Sequence, residues 1–145
     1  MSKPIENFQS VEQLEECAKY WIEKLFLTNW IFKFELDDDD IFDDYGNICY
    51  GLNTFQPVSR NSIIKIRKYD KKFDADAKKF CAEQTLVHEL LHCKYNFIGK
   101  DTKDYANVYF DIIDHRLLDE MSESLIMARY NLTYDYFKND KKKKD

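Results

Sequence analysis

Apolar side chains recur at helical spacing through the first part of the chain. Val11, Leu14, Cys17, Ala18, Trp21, Ile22 and Leu25 fall on one face of a helix predicted over 10–27. Ser10 stands at the N-cap position with Glu12 and Gln13 in the first turn, and Thr28 and Asn29 mark the end. The pattern then changes: Trp30 to Leu36 is rich in aromatic and β-branched residues and predicts a strand. Two more strands are predicted at about 47–55 and 62–67. In the second, Ile64 and Ile66 alternate with Ile63, Lys65 and Arg67, giving one buried and one wetter face. Residues 57–61 form the turn between them. A charged connection over 68–76 leads to a second helix, from about 74 or 77 to Tyr95, and a third helix runs from about 105 or 111 to Asn131.

This order predicts an α+β fold: an N-terminal helix, a short three- to four-stranded sheet, and two further helices. A chain of 145 residues suits one domain, here 1–137, followed by a charged flexible tail over 138–145. The acidic run from Asp37 to Asp40, continued by Asp43 and Asp44, reads as a solvated loop, because the glycine and closing glutamate of a calcium-binding loop would be misplaced in it.

Composition narrows the partners. A net charge of −5 gives no general attraction to nucleic acid, and direct nucleic-acid binding is not expected. No run approaches the roughly 18 apolar residues of a membrane span. The start, MSKPIENFQS, lacks the pattern of a secretory signal. The cysteines at 17, 49, 81 and 93 make no CxxC pair and read as reduced thiols in a cytoplasmic protein.

The chemistry lies in the second predicted helix. His88 and His92 are four residues apart and stand one turn apart on the same face, a spacing that lets both imidazoles reach one zinc ion. Glu89 is rotated about 100° from His88. It is poorly placed to ligate that ion but well placed to take a proton from a water the ion polarises. Thr85, Leu86, Val87, Leu90, Leu91 and Cys93 make the surrounding helix apolar, so this is no ordinary solvated face.

A catalytic zinc site needs a third protein ligand and an open position. The last helix offers His115, Glu120 and Glu123. If Leu117, Leu118, Met121, Leu125, Ala128 and Leu132 mark its apolar face, Glu120 lies on one border and His115 on the other, while Glu123 points away. Both Glu120 and His115 therefore stand as third-ligand candidates, with Glu120 the favoured one.

The motif Thr85-Leu86-Val87-His88-Glu89-Leu90-Leu91-His92, with Trp30 in the first strand and Asp119-Glu120 opening the last apolar segment, resembles the zincin metallopeptidases, in particular small single-domain members from phages and low-GC bacteria. The resemblance spans most of 10–133 and implies a minimal zincin-like fold. It also implies a gluzincin site, with His88, His92 and Glu120 holding zinc and Glu89 as base. The metzincin extension would need glycine at 95 and histidine at 98, where this chain has Tyr95 and Ile98. Many gluzincins carry aspartate four residues after the glutamate ligand, where this chain has Ser124. SprT-like enzymes use a third histidine, which keeps His115 in view.

The expectation is thus zinc-dependent hydrolysis of peptide bonds in a peptide or protein substrate. Such a substrate would pair with an exposed sheet edge. Tyr95, Tyr105, Tyr109 and His115 are candidates to stabilise the oxyanion. The alternative is a zinc-binding module of the same fold that acts through protein–protein interaction. A DNA-associated protease is a weaker third idea, which the acidic balance opposes.

Overall fold

The protein, seen in a computed structural model, is described over residues 3–95 and 105–139. Ser10 opens the first helix, α1 (Val11–Lys24), its hydroxyl accepting a hydrogen bond from the Gln13 N–H at 3.1 Å. The helix stops three residues earlier than its apolar pattern suggests. Phe26 turns into the left-handed region (φ 58°), the Phe26 N–H bonds to Glu23 O, and the Leu27 N–H reaches back to Ile22 O at 2.8 Å. These are the two bonds of a Schellman ending, with phenylalanine at the position glycine usually takes. Phe26 is left exposed while Leu27 enters the core.

Five strands follow: β1 (Ile31–Asp37), β2 (Ile41–Phe42), β3 (Ile48–Cys49), β4 (Gly51–Gln56) and β5 (Asn61–Arg67). β5 is the central strand of the main sheet, parallel to β1 and antiparallel to β4. Its Ile64 and Ile66 are fully buried. The acidic segment is not simply a loop, because Ile41 and Phe42 pair with Cys49 and Ile48 in a small hairpin. Asp43 shapes its turn, one carboxylate oxygen accepting from the N–H groups of Tyr45 and Asn47 at 2.9 Å each. Asp40 is tied to Lys72 and Arg67.

The second helix, α2 (Ala82–Lys94), also begins later than its pattern implies. Asp70 caps a separate 3-10 turn at Lys71–Ala75, and 76–81 is non-helical, bending at 76–77 before the bridge at Lys78. Lys78 bridges to Lys138, and the Asn139 N–H bonds to Ala77 O at 3.2 Å. The expected tail is therefore structured at Lys138 and Asn139, and 140–145 lie outside the described residues. The last long helix, α3 (Tyr105–Tyr130), ends at Asn131 as its pattern predicts, in the left-handed region, with the Leu132 N–H bonded to Met127 O. With three helices beside a three-stranded and a two-stranded sheet, the protein is α+β. Among the described residues no helix is long and apolar enough to cross a membrane.

Every residue of α2 from Ala82 to His92 is buried, against α1, α3, β4 and β5. Leu86, Val87, Leu90 and Leu91 supply the core contacts. The same stretch carries Glu83, Gln84, Thr85, His88, Glu89 and His92, and each buried polar group needs a partner inside the protein. Glu83 shows how fully that demand is met. Its carboxylate accepts from Trp21 Nε1 (2.9 Å), Tyr130 OH (2.7 Å), the Ile5 N–H (2.9 Å) and Arg129 Nη1 (2.8 Å). One buried carboxylate thus joins the N-terminal segment, α1, α2 and α3, and fixes the helix that carries the motif.

Candidate metal centre

His88 and His92 project from the same side of α2, with ring centroids 5.0 Å apart. The third ring comes from α3: His115 lies 5.5 Å from His88 and 4.9 Å from His92, centroid to centroid. One ligating atom from each of the three falls within 4.8 Å of the others. His88 Nε2 and His115 Nδ1 are 3.4 Å apart. Ligands at about 2.1 Å on a tetrahedral ion stand about 3.4 Å from one another, so this pair already has the spacing of a zinc-site edge. Three neutral imidazoles are also a donor set that suits zinc better than the hard cations. His88 and His92 are buried and His115 is exposed, so the cluster sits at the protein surface with one side toward solvent.

Two carboxylates flank the rings. Glu89 is buried, with Oε1 4.0 Å from His92 Nε2. Its backbone is pinned by Asn53 of β4, whose Nδ2 donates to Glu89 O at 2.7 Å and whose Oδ1 accepts from Ser62 Oγ at 2.6 Å. Asp119, one turn beyond His115 on α3, places Oδ1 2.8 Å from His88 Nδ1. That is the separation of a charge-assisted hydrogen bond, although with the ring as it stands the N–H is not aligned with the oxygen.

The charges act in opposite directions on the two partners. Burial pushes the His88 imidazole down, but the Asp119 contact and the charges of Glu89 and Asp119 outweigh it and hold its pKa above the ordinary value. Burial pushes Asp119 up, but the His88 contact and the nearby Lys78 ammonium keep it below the usual carboxylate range. A carboxylate that receives one imidazole N–H fixes the tautomer and leaves the other nitrogen free to ligate.

Glu120, favoured from the sequence, is not part of the cluster. It is exposed and faces Arg116, 3.5 Å away along the helix. The buried side of α3 carries Leu118, Ser122, Glu123, Ile126 and Tyr130, and Leu117 and Ala128 are exposed. At about 100° per residue, His115, though exposed, lies on that same side of α3 and Glu120 lies away from it. Glu123 is buried but engages Lys78 at 3.2 Å instead of the histidines. Of the oxyanion candidates, Tyr95 ends α2 half-exposed, and the side chains of Tyr105 and Tyr109 lie outside the described residues. Asp119, Asn53 and Gly51 had no assigned role in the sequence. The available signal for Asp119 was its four-residue spacing from His115.

No family model matches this chain, and neither a curated protein nor a solved structure matches it.

Proposed function

We propose that the protein is a zinc-dependent peptidase in which His88, His92 and His115 hold the metal and Glu89 is the general base. The observation that carries this reading is the convergence of three imidazoles from two helices beside a buried carboxylate. Three protein ligands leave a fourth position, the mark of a catalytic rather than a structural zinc site. When bound there, zinc supplies Lewis acidity, polarising a carbonyl and making a water easier to deprotonate.

The protein's own groups do the rest. Glu89, beside His92, takes the proton from the attacking water and returns it to the leaving amine. Asp119 orients His88 and balances its charge. β4 is an outer strand of the sheet next to Glu89, and an extended peptide would pair with its backbone. We place this activity in a reducing compartment such as the cytoplasm, where the four free thiols persist.

The test compares wild type with Glu89→Gln on a library of unstructured peptides. The amide cannot accept the proton, so zinc content should stay and hydrolysis should vanish. Wild-type protein that binds zinc yet cleaves nothing would instead favour the non-enzymatic zinc module.

A further inference from the structure

The Asp119 side chain is 48% exposed, and a carboxylate so placed ordinarily turns toward water. Here one oxygen, Oδ1, is engaged from three sides: by His88 Nδ1 at 2.8 Å, Gln84 Nε2 at 3.4 Å and Lys78 Nζ at 3.6 Å. Gln84 is a weak anchor at that distance, its amide nitrogen donating more closely to Ser122 Oγ at 2.7 Å. Lys78 is the cation of the group.

Lys78 belongs to neither helix of the site. It lies on the non-helical segment before α2, held by the C-terminal segment through its bridge with Lys138 and the bond from the Lys79 N–H to Phe137 O at 2.7 Å. Its ammonium also meets Glu123 Oε2 at 3.2 Å, and the Glu123 side chain is only 8% exposed. Asp119 and Glu123 are one turn apart on α3, so the lysine is clamped between two successive carboxylates of that helix.

We infer that Lys78 is a positioning residue for the metal centre: it holds the Asp119 carboxylate on His88, so that Nδ1 keeps its proton and Nε2 stays turned toward His115. The inference rests on the zinc reading above for its effect on metal affinity. The effect on the His88 ring is independent of zinc. The C-terminal segment then has a share in the site without touching it, because it fixes the backbone from which Lys78 reaches.

The experiment must separate positioning from folding, because Lys78→Met alone strands the buried Glu123 carboxylate and costs stability. The double variant Lys78→Met/Glu123→Gln removes that stranded charge and restores the fold. Two quantities are measured on wild type, the double variant and Lys78→Arg. One is zinc affinity by chelator competition. The other is the His88 tautomer, from ring nitrogen NMR at alkaline pH with no zinc added.

A positioning role predicts that the double variant folds but loses about 10–100-fold in zinc affinity, the range of changes behind a ligand. It also predicts a mixture of His88 tautomers in that variant, with near wild-type behaviour in Lys78→Arg. Wild-type affinity and a single Nδ1–H tautomer in the double variant would overturn it and leave Lys78 a purely structural residue. If wild type takes up no zinc, the metal reading fails by itself, and the tautomer measurement decides the role of Lys78.

Discussion

Gly51 on β4 and Glu89 on α2 are in contact: a Cβ at Gly51 would stand 3.1 Å from both Cγ and Oε2 of Glu89, and 2.7 Å from Thr85 Cγ2. The edge strand therefore approaches the proposed base as closely as a backbone without a side chain allows. Gly51→Ala should displace Glu89. Displacements of about 1 Å at a reacting group cost on the order of 100-fold in rate, whereas overpacking costs about 1–3 kcal/mol of stability. Measured kcat should fall steeply while bound zinc remains, since the atoms nearest that Cβ belong to Thr85 and Glu89 and not to a histidine. An unchanged kcat in a folded variant would separate Glu89 from the chemistry.

The third ligand is the sharpest difference between sequence and structure. His115→Ala should reduce zinc affinity by far more than the 10–100-fold of changes behind a ligand, and Glu120→Ala should leave it unchanged. Competition with a chelator, at one pH for both variants, measures this. A damaging Glu120→Ala with a silent His115→Ala would restore the glutamate ligand.

Glu83 should dominate stability without entering the chemistry. It is fully buried, its partner Arg129 is partly buried, and the guanidinium stacks 3.6 Å above the Tyr20 ring. Removing one member of such a pair strands the other, at a cost of about 3–5 kcal/mol. Urea denaturation of Glu83→Ala should show a loss of that size. A loss below about 1 kcal/mol, the value of a surface pair, would contradict the hub.

Alkaline pH should weaken the fold. Burial lifts the Cys17 thiol from 9.0 to about 12, and Cys81 and Cys49 to about 11. Groups whose pKa is raised on folding stabilise the protein fully below the unfolded value, and that stability is lost as pH rises through the folded value. The denaturation midpoint should therefore fall from pH 9.0 toward about 11 to 12. Buried Tyr130 and partly buried Tyr136, also raised, act with the same sign. Replacing Cys17 and Cys81 by alanine should flatten this dependence, and a slope unaffected by their loss would assign it elsewhere.

Much of the architecture was legible because period and propensity agreed. Ser10, the WIFKFEL strand, β5 and the end of α3 at Asn131 follow local rules. Where the reading departed, nonlocal partners decided. Phe26 takes a left-handed ending because burial of Leu27 follows from it. Residues 76–81 stay out of α2, and the C-terminal segment bonds to 77–79 there.

The α3 face was misjudged for a related reason. Ser122 and Glu123 look solvated by hydropathy, yet each is buried against a partner brought by another element, Gln84 and Lys78. That rotates the inward face toward His115 and away from Glu120. The motif on α2 needed no such help, since a four-residue spacing on a helix fixes which side both rings share.

The most direct test of the metal centre is zinc-edge X-ray absorption on the purified protein, paired with its metal content. The account predicts about one zinc per chain, with three imidazole nitrogens at about 2.0–2.1 Å, one further light-atom ligand and no sulfur. It also predicts that the imidazole contribution drops by one ring in His115→Ala. A chain that takes up no zinc, or a zinc spectrum that His115→Ala leaves unchanged, would contradict the three-histidine centre.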